Sequence, residues 1–460
     1  MIRYFVIFGA SGDLTARYLL PTLAQLHQAG KLPADMTVLG VAPESWDTAY
    51  FKNHIRARVR QHAPGLADAS EDRLIARLQY RRADVTKPDE VKTALASINE
   101  AAVLYLSLPP AVFLPAARSI LAAGVPAASR IVVEKPFGTN LDSTRKLNEL
   151  LHRAFPEQAI FRMDHFLGKQ TVQNILGLRF ANRIFEPLWN CQHIERVEIT
   201  WDETLTVEGR AGFYDSTGAL RDMLHNHLLQ LLCLTAMEPP PTFAERDLRD
   251  YKVALLRAVR WLTPDEIREW TLRGRYGAGR IGGREVPDYV NEPGVDAQRQ
   301  TETFAQVALW IDNWRWAGVP FVMRSGKALG KDRREIAVYF KPVPHLAFVN
   351  DADPRVNALR LELNPDRLAL ALNINGHGDP FDLEAIELDT ALAPQDISAY
   401  GRLLLDLLRG DLTLSIRDDE AEESWRIMEP ILEAWRRGEV PLLEYTAGSA
   451  GPMRSQPSRT

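Results

Sequence analysis

Cysteine is scarce in this chain, with two among 460 residues, Cys191 and Cys233. That number and spacing exclude a disulfide framework and a cysteine-rich metal site, and a reducing compartment is expected. No apolar run is long enough to cross a bilayer as a helix, so no membrane partner is expected. Basic charge is not in excess: 55 Lys and Arg against 60 Asp and Glu give a net charge of -5. With no basic block either, the sequence offers nothing to a nucleic acid. The opening Met1-Ile2-Arg3-Tyr4 runs straight into an apolar stretch and then glycines. It lacks the layout of a secretion signal, so a soluble, cytoplasmic protein is expected. Internal repeats and low-complexity linkers are missing as well. Only the tail from Thr446 to Thr460, rich in Gly, Ser, Pro and Arg, reads as loose.

What is present is an ordinary globular composition in a chain too long for one core, so two domains are expected. Tyr4 to Phe8 is a short apolar run, as a strand buried on both faces should be. Gly9-Ala10-Ser11-Gly12-Asp13-Leu14 follows, and then a helical pattern from Thr15 to Gln28. Strand, glycine turn and helix place backbone N–H groups against a pyrophosphate. The Gly-x-x-Gly spacing is weak alone, because any tight turn favours glycine. Further strands at Met36–Val41, Val103–Leu108 and Arg130–Val133, with helices between, predict a doubly wound parallel α/β sheet of Rossmann type. Ligands of such sheets bind beyond the carboxyl ends of the strands. Two of those ends carry unusual residues, Leu108-Pro109-Pro110 and Glu134-Lys135-Pro136-Phe137-Gly138.

Residues 162–182 concentrate the most chemistry. Arg162-Met163-Asp164-His165-Phe166-Leu167-Gly168-Lys169-Gln170 puts an acid, an imidazole and a lysine at the start of a helix-like run. If that run is helical, His165 and Lys169 share one face near a helix N-terminus, which suits a phosphate group. Beyond Asn182 the pattern changes. Ile194–Trp201, Trp310–Phe321, Ile336–Lys341, Ala358–Leu363 and Ala369–Ile374 read as strands without regular crossovers, so a large, mainly antiparallel sheet in an α+β domain is expected. Asp222–Leu234, Ala399–Arg409 and Glu420–Arg437 read as helices. The division expected is a dinucleotide-binding domain over 1–165 and a substrate-binding and oligomerisation domain over 166–460, with the ligand cleft between them. His227 stands in Leu224-His225-Asn226-His227-Leu228, where a buried, satisfied histidine is the commoner outcome. A metal-nuclease reading of His-Asn-His fails, because residues two apart on a helix diverge and no further ligands follow.

Taken together, these segments resemble the glucose-6-phosphate 1-dehydrogenases. The likeness rests on Gly9 to Leu14, Glu134 to Gly138, Arg162 to Lys169 and Arg221-Asp222-Met223-Leu224-His225-Asn226-His227-Leu228-Leu229-Gln230. It extends through Ile311 to Pro320, Ser325-Gly326-Lys327-Ala328-Leu329, Arg409-Gly410-Asp411 and Glu423 to Ile427, and so over nearly the whole chain. The resemblance implies hydride transfer from C1 of D-glucose 6-phosphate to NAD or NADP, giving 6-phospho-D-glucono-1,5-lactone, with no metal. It implies His227 as general base and Asp164 as its carboxylate partner. His165 and Lys169 would hold the phosphate, and Lys135, Glu203, Asp222 and Lys327 the sugar. The cofactor set would be Gly9, Ser11, Gly12, Asp13, Leu14, Arg17, Glu44, Pro109, Lys135 and Pro136. A homodimer or homotetramer through the antiparallel sheet is implied too.

Four departures from the family pattern stand out, the first of them in the cofactor site. After the second strand stand Pro43 and Glu44 where an arginine usually pairs the 2′-phosphate of NADP, and a carboxylate there can accept from the ribose 2′-hydroxyl of NAD. Ala16 and Tyr18 stand where basic residues are frequent. These two changes lean the cofactor choice to NAD, unless Arg17 or an arginine from residues 56–60 supplies the charge. Phe166 replaces a tyrosine beside His165, Asp332 falls where a basic residue is usual, and His225 replaces a glutamine. A less basic phosphate pocket leaves open a dehydrogenase for a related C6-anionic or amino hexose. A catalytically silent regulatory homologue is the other alternative, and intact Asp164, Lys169 and His227 count against it.

Overall fold

The computed structural model describes residues 2–33, 35–348, 354–378, 382–393 and 395–453. Six strands form one wholly parallel sheet: β1 (Tyr4–Phe8), β2 (Thr37–Ala42), β3 (Leu78–Arg82), β4 (Ala102–Leu106), β5 (Arg130–Glu134) and β6 (Ile160–Met163). Their order is β3-β2-β1-β4-β5-β6, the doubly wound arrangement expected. The order reverses between β1 and β4, so the crevice for a ligand opens beyond those two carboxyl ends. The central strands are apolar throughout because helices cover both faces; Phe5 to Phe8 and Ala102 to Leu106 are fully buried. Two strands escaped the sequence reading. β3 carries Arg81 and Arg82 at its end, and β6 has only four residues. The strand expected to reach Leu108 stops at Leu106, and Pro109 instead caps the helix Pro110–Ala123.

A second sheet has nine strands: β7 (Ile194–Asp202), β8 (Thr271–Gly277), β11 (Phe304–Trp310), β12 (Pro320–Gly326), β13 (Arg333–Phe340), β14 (Ala358–Leu363), β15 (Asp366–Asn375), β16 (Leu383–Ala391) and β17 (Leu442–Thr446). The missing numbers, β9 (Gly279–Ile281) and β10 (Arg284–Val286), form a separate hairpin. The order is β16-β15-β14-β13-β7-β12-β11-β8-β17. Neighbours are antiparallel except β7 with β12 and β8 with β17, so the sheet is mainly antiparallel as expected.

The chain folds as two compact units. One comprises Met1–Gln170, Pro240–Asp250 and Gln395–Glu422; the other comprises Thr171–Pro239, Tyr251–Pro394 and Glu423–Thr460. The return of 395–422 to the first unit has a visible cause. The backbone of Ile416 donates to Arg162 O at 3.0 Å, and Arg162 N donates to Ser415 Oγ at 3.1 Å. The Arg162 side chain is itself buried, with Nη1 2.8 Å from Glu157 Oε1 and Nη2 2.9 Å from Asn148 Oδ1.

Three expectations are corrected. Trp310 to Phe321 is not one strand: β11 ends at Trp310, β12 begins at Pro320, and the intervening turn buries Trp316 while Trp314 points to solvent. The tail is not loose from Thr446. β17 closes there, and Ala447, Gly448 and Ser449 bond to Gly277, Ala328 and Gly330 through the backbone. The remaining tail, 454–460, lies outside the described residues. Finally, the Asp222–Leu234 helix is a π-helix over Leu220–Leu228 that continues as an α-helix over Leu229–Ala236. No helix among the described residues is long and apolar enough to cross a membrane.

Candidate active site

In the first unit the predicted residues line up along the carboxyl edge of the parallel sheet. Gly9 follows β1 with φ +83°, and a Cβ there would collide with the carbonyl oxygen of Ser107 after β4. Only glycine lets the two loops approach so closely. Gly9 N and Ala10 N donate to Val41 O at 2.8 and 3.2 Å, and Gly12 N donates to Gly9 O at 3.0 Å, which tightens the turn. The helix starts at Asp13, passes through a π-turn over Thr15–Leu19 and continues to Gln28. Thr15, where a third glycine is common, is buried and reaches Ser107 Oγ at 3.2 Å. A glycine turn feeding a helix N-terminus fits a dinucleotide pyrophosphate. Ser11, Asp13 and Leu14 lie on that turn, and Arg17 one helical turn further on.

Arg17 and the arginines of residues 56–60, the expected substitutes for the one missing after β2, are engaged with carboxylates. Arg17 and Arg58 face Asp13 at 3.8 and 3.2 Å, Arg56 pairs with Glu71 and Asp72, and Arg60 pairs with Glu71. Pro43 is exposed, and Glu44 is half-buried with Oε2 enclosed and lacking a hydrogen-bond partner among the described residues.

Lys135 and Pro136 follow β5, joined by a cis peptide bond, and Pro109 follows β4. Beside Lys135 is a residue the sequence reading passed over. Glu134 is buried and accepts a hydrogen bond from the Tyr105 hydroxyl. Burial pushes its carboxyl up to about 7, against the opposing pull of the Tyr105 bond and Lys135. No local signal marks it, because its burial and its tyrosine partner both come from the packing of β4 against β5.

After β6 the geometry differs from expectation. Residues 165–168 form a tight turn, not helix, with bonds from Leu167 N to Asp164 O, Gly168 N to His165 O and Lys169 N to Phe166 O; the α-helix begins at Gln170. His165 and Lys169 therefore do not share a helical face. The Phe166 ring gathers them instead. Lys169 Nζ stands 4.3 Å from its centroid, and His165 meets it edge-on at 5.1 Å. Asp164 is fully buried and its Oδ1 accepts from Phe166 N at 2.9 Å, which fixes the carboxylate at the turn. The other face of His165 stacks on Tyr400 at 5.6 Å and 8°, a second residue the sequence reading missed because it comes from a distant helix.

The second unit holds the remaining candidates. β7 and β12 run parallel with Asp202 opposite Gly326, so Glu203 and Lys327 emerge side by side and form an ion pair. Asp332 accepts from Thr204 N at 2.7 Å and Thr204 Oγ1 at 3.0 Å, and pairs with Arg334 at 3.1 Å. Its negative charge is thus matched locally, and it secures the loop that carries Glu203. Asp222 and His227 lie on the π-helix, whose i→i+5 repeat aligns residues five apart more closely than an α-helix does. His227 is buried. His225 is buried too, with Nδ1 3.1 Å from Asn226 Oδ1, Nε2 3.1 Å from Ser424 Oγ and its ring 3.9 Å from that of Trp425. It ties the π-helix to the last helix of the chain.

A doubly wound sheet with a glycine turn after β1, followed by a large, mainly antiparallel sheet, is a dinucleotide-binding layout of the kind that oxidoreductases use. Residues 6–174 match the model of the glucose-6-phosphate dehydrogenase NAD binding domain, and residues 176–458 match that of the C-terminal domain. The chain belongs to the glucose-6-phosphate dehydrogenase family. It is 40% identical to the glucose-6-phosphate 1-dehydrogenase of Gluconobacter oxydans over 98% of this chain and 94% of that one. To the enzyme of the same name from Mycolicibacterium smegmatis it is 41% identical, with the same coverage. Among solved structures, the Mycobacterium avium enzyme superposes with a TM-score of 0.85 at 34% identity, covering 98% of this chain and 96% of that chain. A glucose-6-phosphate dehydrogenase in complex with its substrate glucose 6-phosphate gives a TM-score of 0.87 at 31% identity, covering 98% and 95%.

Proposed function

We propose that the chain oxidises C1 of D-glucose 6-phosphate to 6-phospho-D-glucono-1,5-lactone and prefers NAD to NADP. The observation that carries this reading is the row of residues along one sheet edge: the glycine turn, Lys135-Pro136, and Asp164-His165 with Lys169 around the Phe166 ring. When bound, the nicotinamide ring supplies the hydride acceptor. His227 takes the C1 hydroxyl proton on its imidazole, and Asp164 orients and stabilises the resulting cation. His165 and Lys169 neutralise the C6 phosphate, while Lys135, Glu203, Asp222 and Lys327 bind sugar hydroxyls. Pro136 places sugar and nicotinamide side by side. Gly9, Ser11, Gly12, Asp13 and Leu14 hold the pyrophosphate, with Arg17, Pro109, Lys135 and Pro136 along the rest of the dinucleotide. Glu44 accepts from the ribose 2′-hydroxyl. Residues 1–165 serve the dinucleotide and 166–460 the sugar and self-association, in a cytoplasmic homodimer or homotetramer.

The test is the initial rate with glucose 6-phosphate and each dinucleotide in turn, followed by the absorbance of the reduced nicotinamide. Turnover favouring NAD is expected. Turnover only with a different C6-anionic or amino hexose would replace the substrate, and no turnover with any sugar phosphate would favour the silent homologue. Pro43→Arg combined with Glu44→Ser is expected to move the ratio of kcat/KM toward NADP by roughly tenfold or more, the worth of a charged hydrogen bond to phosphate. An unchanged ratio would place the 2′ pocket elsewhere.

A further inference from the structure

The turn after β2 is fastened by its neighbour β3. Arg82 lies opposite Ala42 in the parallel register, and Ala83 N donates to Ala42 O at 2.9 Å. The Tyr80 hydroxyl, two residues earlier on the same face, lies 3.1 Å from Ala42 O and 2.9 Å from Glu44 O. Arg82 Nε donates to Pro43 O at 3.1 Å. Three successive carbonyls are therefore held by two β3 side chains. Arg82 is exposed, and its bond to Pro43 uses only Nε. Neither of its Nη groups meets an acceptor among the described residues. Those groups are the part of the guanidinium that matches a phosphate. Arg81, its neighbour, is turned back on Tyr80 O at 3.0 Å, and Arg17, Arg56, Arg58 and Arg60 are committed to carboxylates.

We infer that Arg82, from β3, is the residue through which this chain binds a ribose 2′-phosphate, in place of the arginine absent at Pro43. The inference rests on the proposal that a dinucleotide lies along this sheet edge, and it deepens the choice of cofactor. The turn after β2 then offers two partners of opposite kind: the Glu44 carboxylate, which accepts from a 2′-hydroxyl, and the Arg82 guanidinium, which donates to a 2′-phosphate. NADP is bound alongside NAD, at the expense of repulsion from Glu44. Because Nε is anchored on Pro43 O, the guanidinium is held at the strand end before the ligand arrives, so less rotamer freedom is lost on binding.

Isothermal titration of the full chain with adenosine 2′,5′-bisphosphate and with 5′-AMP tests this without any turnover. Arg82→Ala should weaken the bisphosphate by roughly 10-fold or more and leave 5′-AMP unchanged, since only the former carries the 2′-phosphate. Arg82→Lys should restore part of the loss, as a point charge does without the fork. The unchanged 5′-AMP affinity reports that the pocket has folded. Equal weakening of both ligands, or a bisphosphate affinity unchanged in Arg82→Ala, would overturn the inference. A selective loss of bisphosphate binding in Arg82→Ala, in a chain that turns over no sugar phosphate, would leave the inference standing and remove the dehydrogenase proposal instead.

Discussion

Replacing His227 with Asn is expected to lower kcat with glucose 6-phosphate by roughly 100- to 10,000-fold, the usual contribution of a positioned general base. KM should stay near that of the parent. The expectation follows from what the substitution keeps and removes. His227 is buried on the π-helix, so a polar side chain of smaller volume preserves some hydrogen bonding there while losing the group that accepts a proton near neutral pH. A loss confined to kcat separates catalysis from folding, because a collapsed site would also lose substrate binding. Steady-state kinetics with a melting curve of the variant checks both, and a rate equal to that of the parent would remove His227 as the base.

Replacing Lys169 with Ala should act on binding. KM for glucose 6-phosphate is expected to rise by roughly 10- to 100-fold, the cost of one charged hydrogen bond to an anion, while whatever rate is measured on unphosphorylated glucose stays the same. The Lys169 ammonium is held over the Phe166 ring, so it is presented to a ligand from a fixed direction. Comparing kcat/KM on the two sugars isolates the phosphate contact. Equal losses on both would mean that Lys169 supports the turn after β6 and not the phosphate.

A helix over 165–169 would set Lys169 beside His165, but the helix starts at Gln170 and Phe166 brings the two together. Helical spacing is a local guess about backbone geometry, whereas the tight turn is imposed by the buried Asp164 carboxylate accepting from Phe166 N. His227 was placed on a helix, correctly, but the π-form was not foreseeable. It widens the turn without changing the apolar pattern that periodicity reads. The same limit explains β3 and β17. Two arginines hide the first, and the second is a short strand completed only by its pairing with β8.

Features that depend on neighbours along the chain are legible in the order of the amino acids. The run Tyr4–Phe8, the glycine turn and the helix after it form one continuous unit, in which each residue's preference agrees with the next. The order of such units announced a doubly wound sheet, and the segments around Lys135, Asp164 and His227 announced the family. The contacts that cross from one strand to another arise only once the chain has folded. Glu203 meets Lys327 because β7 and β12 run parallel in one register, Glu134 meets Tyr105 across β4 and β5, and Arg82 reaches Pro43 across β2 and β3. Each pairing is set by strand order and register, and these follow from how the whole apolar surface is buried, not from any single stretch of residues.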